Sequence, residues 1–125
     1  MMPAQTQRIL IVDDDSDILR LWTSILAKEG YFVSGTTSGK EAINLVIQSP
    51  PDLLITDLSM PDVDGFEVLK AIRNKSPGLR IIVASGAFGG PILESAKYFG
   101  AAAIVQKPIS RERLMETVRS VLSDS

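Results

Sequence analysis

The stretch RILIVDDDSDILRLWTSIL, residues 8–26, changes its period halfway along. Its first part, RILIVD (8–13), is an apolar run of strand length. From residue 18 onward, Ile18, Leu21, Trp22, Ile25 and Leu26 recur at the i, i+3, i+4, i+7, i+8 spacing of an amphipathic helix. Between the two lie Asp13, Asp14 and Asp15, then Ser16 and Asp17. Acids just before a helix suit its N-cap and the positive end of its dipole. Adjacent carboxylates also repel one another. The run is therefore either a cap alone or a cap joined to part of a cation site.

The same strand-then-helix change recurs along the chain. YFVSGTT (31–37) is a weaker strand. Ser38 and Glu41 have the S-x-x-E spacing of a capping box, opening a helix that carries Ile43, Val46 and Ile47 and stops at Pro50-Pro51. DLLITD (52–57) is a third strand, PDVDG (61–65) a turn, and Phe66, Leu69 and Ile72 mark a third helix. LRIIVAS (79–85) is a fourth strand, GAFGG (86–90) a loop, and Pro91 opens a fourth helix that ends at Gly100. AAIVQ (102–106) is a fifth strand. Ser110 caps a last helix with Leu114, Val118, Val121 and Leu122 on one face.

Strands 1, 3 and 4 are almost continuously apolar, as expected where helices cover both faces of a parallel sheet. Right-handed crossovers then give a doubly wound α/β domain with five strands and five helices. With 125 residues the chain has the size of one such domain. The expected division is a short tail at 1–7 and a domain at 8–123. The net charge of −2 and the absence of a basic cluster argue against direct nucleic-acid binding. No run reaches the roughly 20 apolar residues of a membrane span. With no cysteine, disulfides and thiolate metal sites are excluded, and a cytoplasmic location is expected.

In doubly wound folds ligands sit at the carboxyl ends of the strands. Strand 1 ends in Asp13 and Asp14, strand 3 in Asp57, strand 4 in Ser85 and strand 5 in Lys107-Pro108. Each residue alone has a bland reading as a turn, cap or surface residue. Their coincidence at one sheet edge does not. Three carboxylates without histidine or cysteine suit a hard cation such as Mg²⁺. A lysine beside them suits a phosphoryl group. Together they point to phosphoryl transfer.

These pieces resemble the receiver domain of two-component response regulators. The match lies in ILIVDDD (9–15), DLLITDLSMPDVDG (52–65), IIVASG (81–86) and VQKP (105–108), in that order. The resemblance implies a flavodoxin-like sheet of order 2-1-3-4-5. It implies Asp57 as phosphoacceptor. Asp14, Asp57 and the Ser59 backbone carbonyl would ligate Mg²⁺ directly, and Asp13 through water. Lys107 and the Ser85 hydroxyl would meet the phosphoryl oxygens, and Lys107-Pro108 would be a cis peptide. Asp15 is left to the helix cap.

The implied partners are a sensor histidine kinase or histidine phosphotransfer protein, and an effector that reads helix 4, strand 5 and helix 5. The chain contains no histidine of its own, so the donor is external. Tyr98 and Ile104 are candidates for the effector face, although Tyr98 also suits an ordinary half-buried helix position. Ile104 stands where the family often has an aromatic. Ser59 and Ala87, two residues after the acceptor and the hydroxyl, are neither carboxylates nor amides, so slow self-dephosphorylation is expected. After Lys107 only 18 residues remain, so no output domain is expected there. Two other readings remain open. Asp13-x-Asp15 resembles the nucleophile and acid of haloacid-dehalogenase-type phosphohydrolases. The domain could also be a receiver-shaped interaction module without phosphotransfer. Apart from its own modification at an aspartate, no enzymatic turnover is expected.

Overall fold

A computed structural model describes residues 6–58, 65–86 and 91–123. The described elements are β1 (Arg8–Val12), α1 (Ser16–Lys28), β2 (Phe32–Thr36), α2 (Gly39–Gln48) and β3 (Leu53–Thr56). They continue with α3 (Gly65–Lys75), β4 (Arg80–Ser85), α4 (Pro91–Tyr98), β5 (Ala103–Gln106) and α5 (Arg111–Ser123). All strand pairs are parallel, in the order β2-β1-β3-β4-β5.

Strand alternation divides the core into two layers. Ile9, Ile11, Leu53, Ile55, Ile82, Ala84 and Val105 face α1 and α5, where they meet Trp22, Leu26, Leu114 and Val118. Leu10, Val12, Leu54, Ile81 and Val83 face α2, α3 and α4, where they meet Val46, Leu69, Ile72 and Ala96. Both faces of β1, β3 and β4 are thus covered, which is why these strands read as unbroken apolar runs. The four α5 residues expected on one face are all buried. Each such side chain contributes roughly 1.5–3 kcal/mol by leaving water.

Helix ends follow local chemistry. One Asp15 carboxylate oxygen accepts from the amides of Asp17 (2.9 Å) and Ile18 (3.3 Å), so Asp15 is the N-cap of α1. Gly30 takes a left-handed φ of +99° after that helix, and Gly100 one of +73° after α4. Ser38 caps α2 by accepting from the Glu41 amide at 3.2 Å. The return bond of a capping box is made differently. The Ser38 amide donates to Thr36 Oγ1 at 3.1 Å, because β2 ends in a hydroxyl two residues earlier.

Arg73, in the last turn of α3, spans two helix ends. Its Nε donates to the Phe99 carbonyl (2.8 Å), Nη1 to Pro77 (2.9 Å) and Leu79 (2.7 Å), and Nη2 to Gly100 (3.3 Å). The guanidinium therefore ties the α3–β4 turn to the end of α4. Burial pushes its pKa below the ordinary arginine value, while it remains charged.

Candidate functional site at the carboxyl edge of the sheet

The regular strands stop one residue short of the apolar-acidic runs. Asp13 and Asp57 fall just beyond β1 and β3. Their amides still bond to the neighbouring strand: Asp13 N–H to the Thr36 carbonyl (3.2 Å) and Asp57 N–H to the Val12 carbonyl (3.0 Å). The backbone is thus held like a strand while the side chains stand at the sheet's rim. Thr56 Oγ1 donates to the Asp57 carbonyl at 3.1 Å, bracing the same exit. Asp13 is 1% exposed and Asp57 5%, whereas Asp14 is exposed.

Gly65 fixes how closely α3 approaches this rim. A Cβ there would lie 2.1 Å from the Leu58 carbonyl oxygen and 2.4 Å from its Cα, so only glycine fits without moving the residue next to Asp57.

β5 brings in the cation. The Lys107 amide donates to the Ser85 carbonyl at 2.8 Å, continuing the β4–β5 pairing. The Lys107-Pro108 peptide that follows is cis. Lys107 Nζ donates to Asp13 Oδ2 at 2.5 Å and to Asp57 Oδ2 at 2.8 Å. Its side chain is 13% exposed; the bland reading of a solvated surface lysine does not hold. Ser85, at the end of β4, is fully buried at the same edge.

Burial pushes the Asp13 carboxyl above the ordinary carboxylate range. Hydrogen bonds from Lys107 and the Asp15 amide oppose that shift incompletely, and the Asp57 charge adds to it. Burial alone would lower the Lys107 pKa. Bonding to Asp13 and Asp57 outweighs burial and holds it above the ordinary lysine value.

Asp13, Asp14 and Asp57 each place a carboxylate oxygen within 4.8 Å of the others. Among the described residues, three carboxylates face one ammonium, a formal charge of −3 + 1 = −2. The donors are all oxygen, two of the three acids are buried, and one is open to solvent. That set fits a hard divalent cation that keeps several waters, as Mg²⁺ does. Asp15 is absent from the cluster, its carboxylate being engaged in the α1 cap. Ser59 and Ala87, and residues 87–90 of the expected 86–90 loop, lie outside the described residues.

The structure brings Asp13, Asp14, Asp57, Ser85 and Lys107 to one edge, as the sequence reading expected. Sequence reasoning missed Trp22. It reads as an apolar α1 residue, yet Lys107 Nζ lies over its indole, 5.9 Å from the ring centroid. Its fit to the α1 stripe hid any further role. On the candidate effector face, Ile104 is partly buried and packs on the α2–α4 layer. Tyr98 departs from the half-buried reading. It is 83% exposed and meets Phe99 edge-on, ring centroids 5.1 Å apart. Among the described residues, no helix is long and apolar enough to cross a membrane.

Known proteins resemble this chain in sequence and fold. The chain is 33% identical over 122 residues to the polar-differentiation response regulator DivK of Brucella ovis, covering 96% of this chain and 99% of that protein. It is 29% identical over 116 residues to sporulation initiation phosphotransferase F of Bacillus subtilis, covering 93% and 94%. A CheY-like receiver domain from Methanospirillum hungatei superposes with a TM-score of 0.93 at 30% identity, over 96% of each chain. Chemotaxis protein CheY4 of Vibrio cholerae superposes at 0.87 and 28% identity, over 94% of this chain and 99% of that one. A family model described as the response regulator receiver domain matches residues 9–119. With the doubly wound sheet and an acid-lysine cluster at its carboxyl edge, this places the chain in the response regulator receiver domain family.

Proposed function

We propose that residues 8–123 form a phosphorylatable switch whose acceptor is Asp57. The observation that carries this reading is the clustering of the Asp13, Asp14 and Asp57 carboxylates, two of which, those of Asp13 and Asp57, bind the ammonium of Lys107. Asp57 is buried, and its Oδ2 is already matched to a cation. By likeness to the family the donor is a phosphohistidine, and none of these 125 residues is a histidine that could supply it.

An Asp57 carboxylate oxygen attacks phosphorus in line. The oxygen–phosphorus bond forms as the donor's phosphorus–nitrogen bond breaks, and the departing imidazole takes up a proton. Lys107 leaves its shared position between Asp13 and Asp57 to pair with a phosphoryl oxygen. The buried Ser85 hydroxyl donates to another. Asp14 and Asp57 would hold Mg²⁺, with Asp13 acting through water. When bound, Mg²⁺ neutralises charge on the phosphoryl oxygens. The added charge at Asp57 then biases the α4–β5–α5 face, where Tyr98 stands exposed, toward an effector.

A small acyl phosphate supplied with Mg²⁺ tests the reading. Labelling should saturate at one phosphoryl group per chain and vanish in Asp57→Asn. Sustained turnover of a phosphomonoester would instead select the phosphohydrolase reading. Against that reading, Asp15 of the Asp13-x-Asp15 pair serves the α1 cap and not the site.

A further inference from the structure

We propose that Trp22 is a positioning residue for Lys107, its indole face forming the wall against which the ammonium is held. Two of the three Nζ protons are accounted for by Asp13 Oδ2 and Asp57 Oδ2. Nζ also lies over the Trp22 ring, 5.9 Å from its centroid, within the range of a cation–π contact. Trp22 is 4% exposed and belongs to the core layer that the α1 and α5 side chains form against the sheet. A buried indole has few alternative positions, and its negative face does not compete for Nζ protons as water would.

The same indole also lines a groove of about 240 Å³ between α1 and the start of α5, with Leu21, Lys28, Ile109 and Arg111 around it. Trp22 is therefore the wall common to that groove and the acid-lysine cluster. An aliphatic residue at position 22 would satisfy the core stripe of α1 equally well. It would offer the ammonium no attractive surface, and Lys107 could then swing toward the groove and solvent. The ring instead keeps Nζ at the Asp57 carboxylate, ready to meet a phosphoryl oxygen.

The effect on phosphorylation rests on the proposed role of Asp57; the placement of Lys107 does not. Two measurements separate them. The first is the chemical shift of the Lys107 side-chain methylene protons by NMR in the unmodified protein. Protons held over an indole face move upfield, and this shift should survive in Trp22→Phe and disappear in Trp22→Leu. The second is the rate of Asp57 labelling from a small acyl phosphate with Mg²⁺, well below each variant's unfolding temperature. Trp22→Leu should label roughly three- to tenfold more slowly, and Trp22→Phe within about twofold of wild type.

A purely structural role would slow neither variant once folded and would give phenylalanine no advantage. Wild-type Lys107 protons without an upfield shift would overturn the proposal, and that measurement needs no variant to fold. Trp22→Leu labelling at the wild-type rate would overturn it as well. If no form of the protein is labelled, the role of Asp57 fails, while the ring-current result still decides the placement of Lys107.

Discussion

Replacing Lys107 by methionine keeps a side chain of similar length and removes the ammonium bonded to Asp13 and Asp57. At an effective dielectric constant of about 20, contacts of 2.5 and 2.8 Å are each worth roughly 6 kcal/mol of attraction. Withdrawing an ammonium from water costs several kcal/mol against that sum. Once the ammonium is gone, the two carboxylates can also relax apart or take up a proton. Breaking a buried pair from one side typically costs about 3–5 kcal/mol. Lys107 retains some solvent contact, so the lower end, about 3 kcal/mol, is expected at neutral pH. For a domain of this size that corresponds to a fall in Tm of about 10 °C. Urea unfolding in chelator, followed by circular dichroism, measures it.

The pH dependence gives the prediction its sharper edge. The folded-state pKa of Lys107 lies above its unfolded value. Its stabilisation is therefore complete below about pH 10.4 and is lost as pH rises through the folded value. The wild type loses this contribution in strong base, and Lys107→Met has none to lose. The gap between them closes there. Toward acid, the folded-state pKa of Asp13 is raised, so the folded state binds its proton more tightly than the unfolded chain. Removing Lys107 raises it further, and the gap narrows again as pH falls toward about 4. A variant as stable as wild type from pH 5 to 9 would refute the view that Lys107 holds the two acids together.

Three other perturbations probe separate parts of the structure. Asp15→Ala should cost about 1 kcal/mol of stability through loss of the α1 cap and leave Mg²⁺ affinity unchanged. Asp14→Ala should do the reverse, and isothermal titration distinguishes them. Gly65→Ala would place a methyl against the Leu58 backbone, so it should destabilise by about 2 kcal/mol or more and slow Asp57 labelling. Arg73→Lys should cost about 2 kcal/mol, because an ammonium cannot span the five carbonyls that the guanidinium fork reaches, those of Ser76, Pro77, Leu79, Phe99 and Gly100; thermal denaturation would show it, and a neutral outcome would contradict the tie between α3 and α4.

Much of this was legible in the sequence because the signals were local. The apolar runs of β1, β3 and β4 declare a sheet covered on both faces. The α5 stripe named its four buried residues, and the strand-end acids and lysine lay where a doubly wound fold gathers ligands. What stayed hidden depends on approach between distant segments. Lys107 was expected at the acid edge, but its direct bonds to Asp13, across 94 positions, and to Asp57 were not. Arg73 resembles an ordinary basic residue in a last helical turn, and its acceptors at Phe99 and Gly100 come from another helix. Trp22 fits the α1 stripe so well that periodicity gave no reason to look further. Ser38 illustrates a smaller case, in which Thr36 takes the bond expected of Glu41.

The central claim is that Asp57 receives the phosphoryl group with Asp13, Asp14 and Lys107 around it. Intact-mass spectrometry of wild type and Asp57→Asn after incubation with a small acyl phosphate and Mg²⁺ tests it most directly. The account predicts one added phosphoryl group on the wild type, labile to hydroxylamine as an acyl phosphate is, absent without Mg²⁺ and absent from the variant. Equal labelling of the two proteins would contradict it.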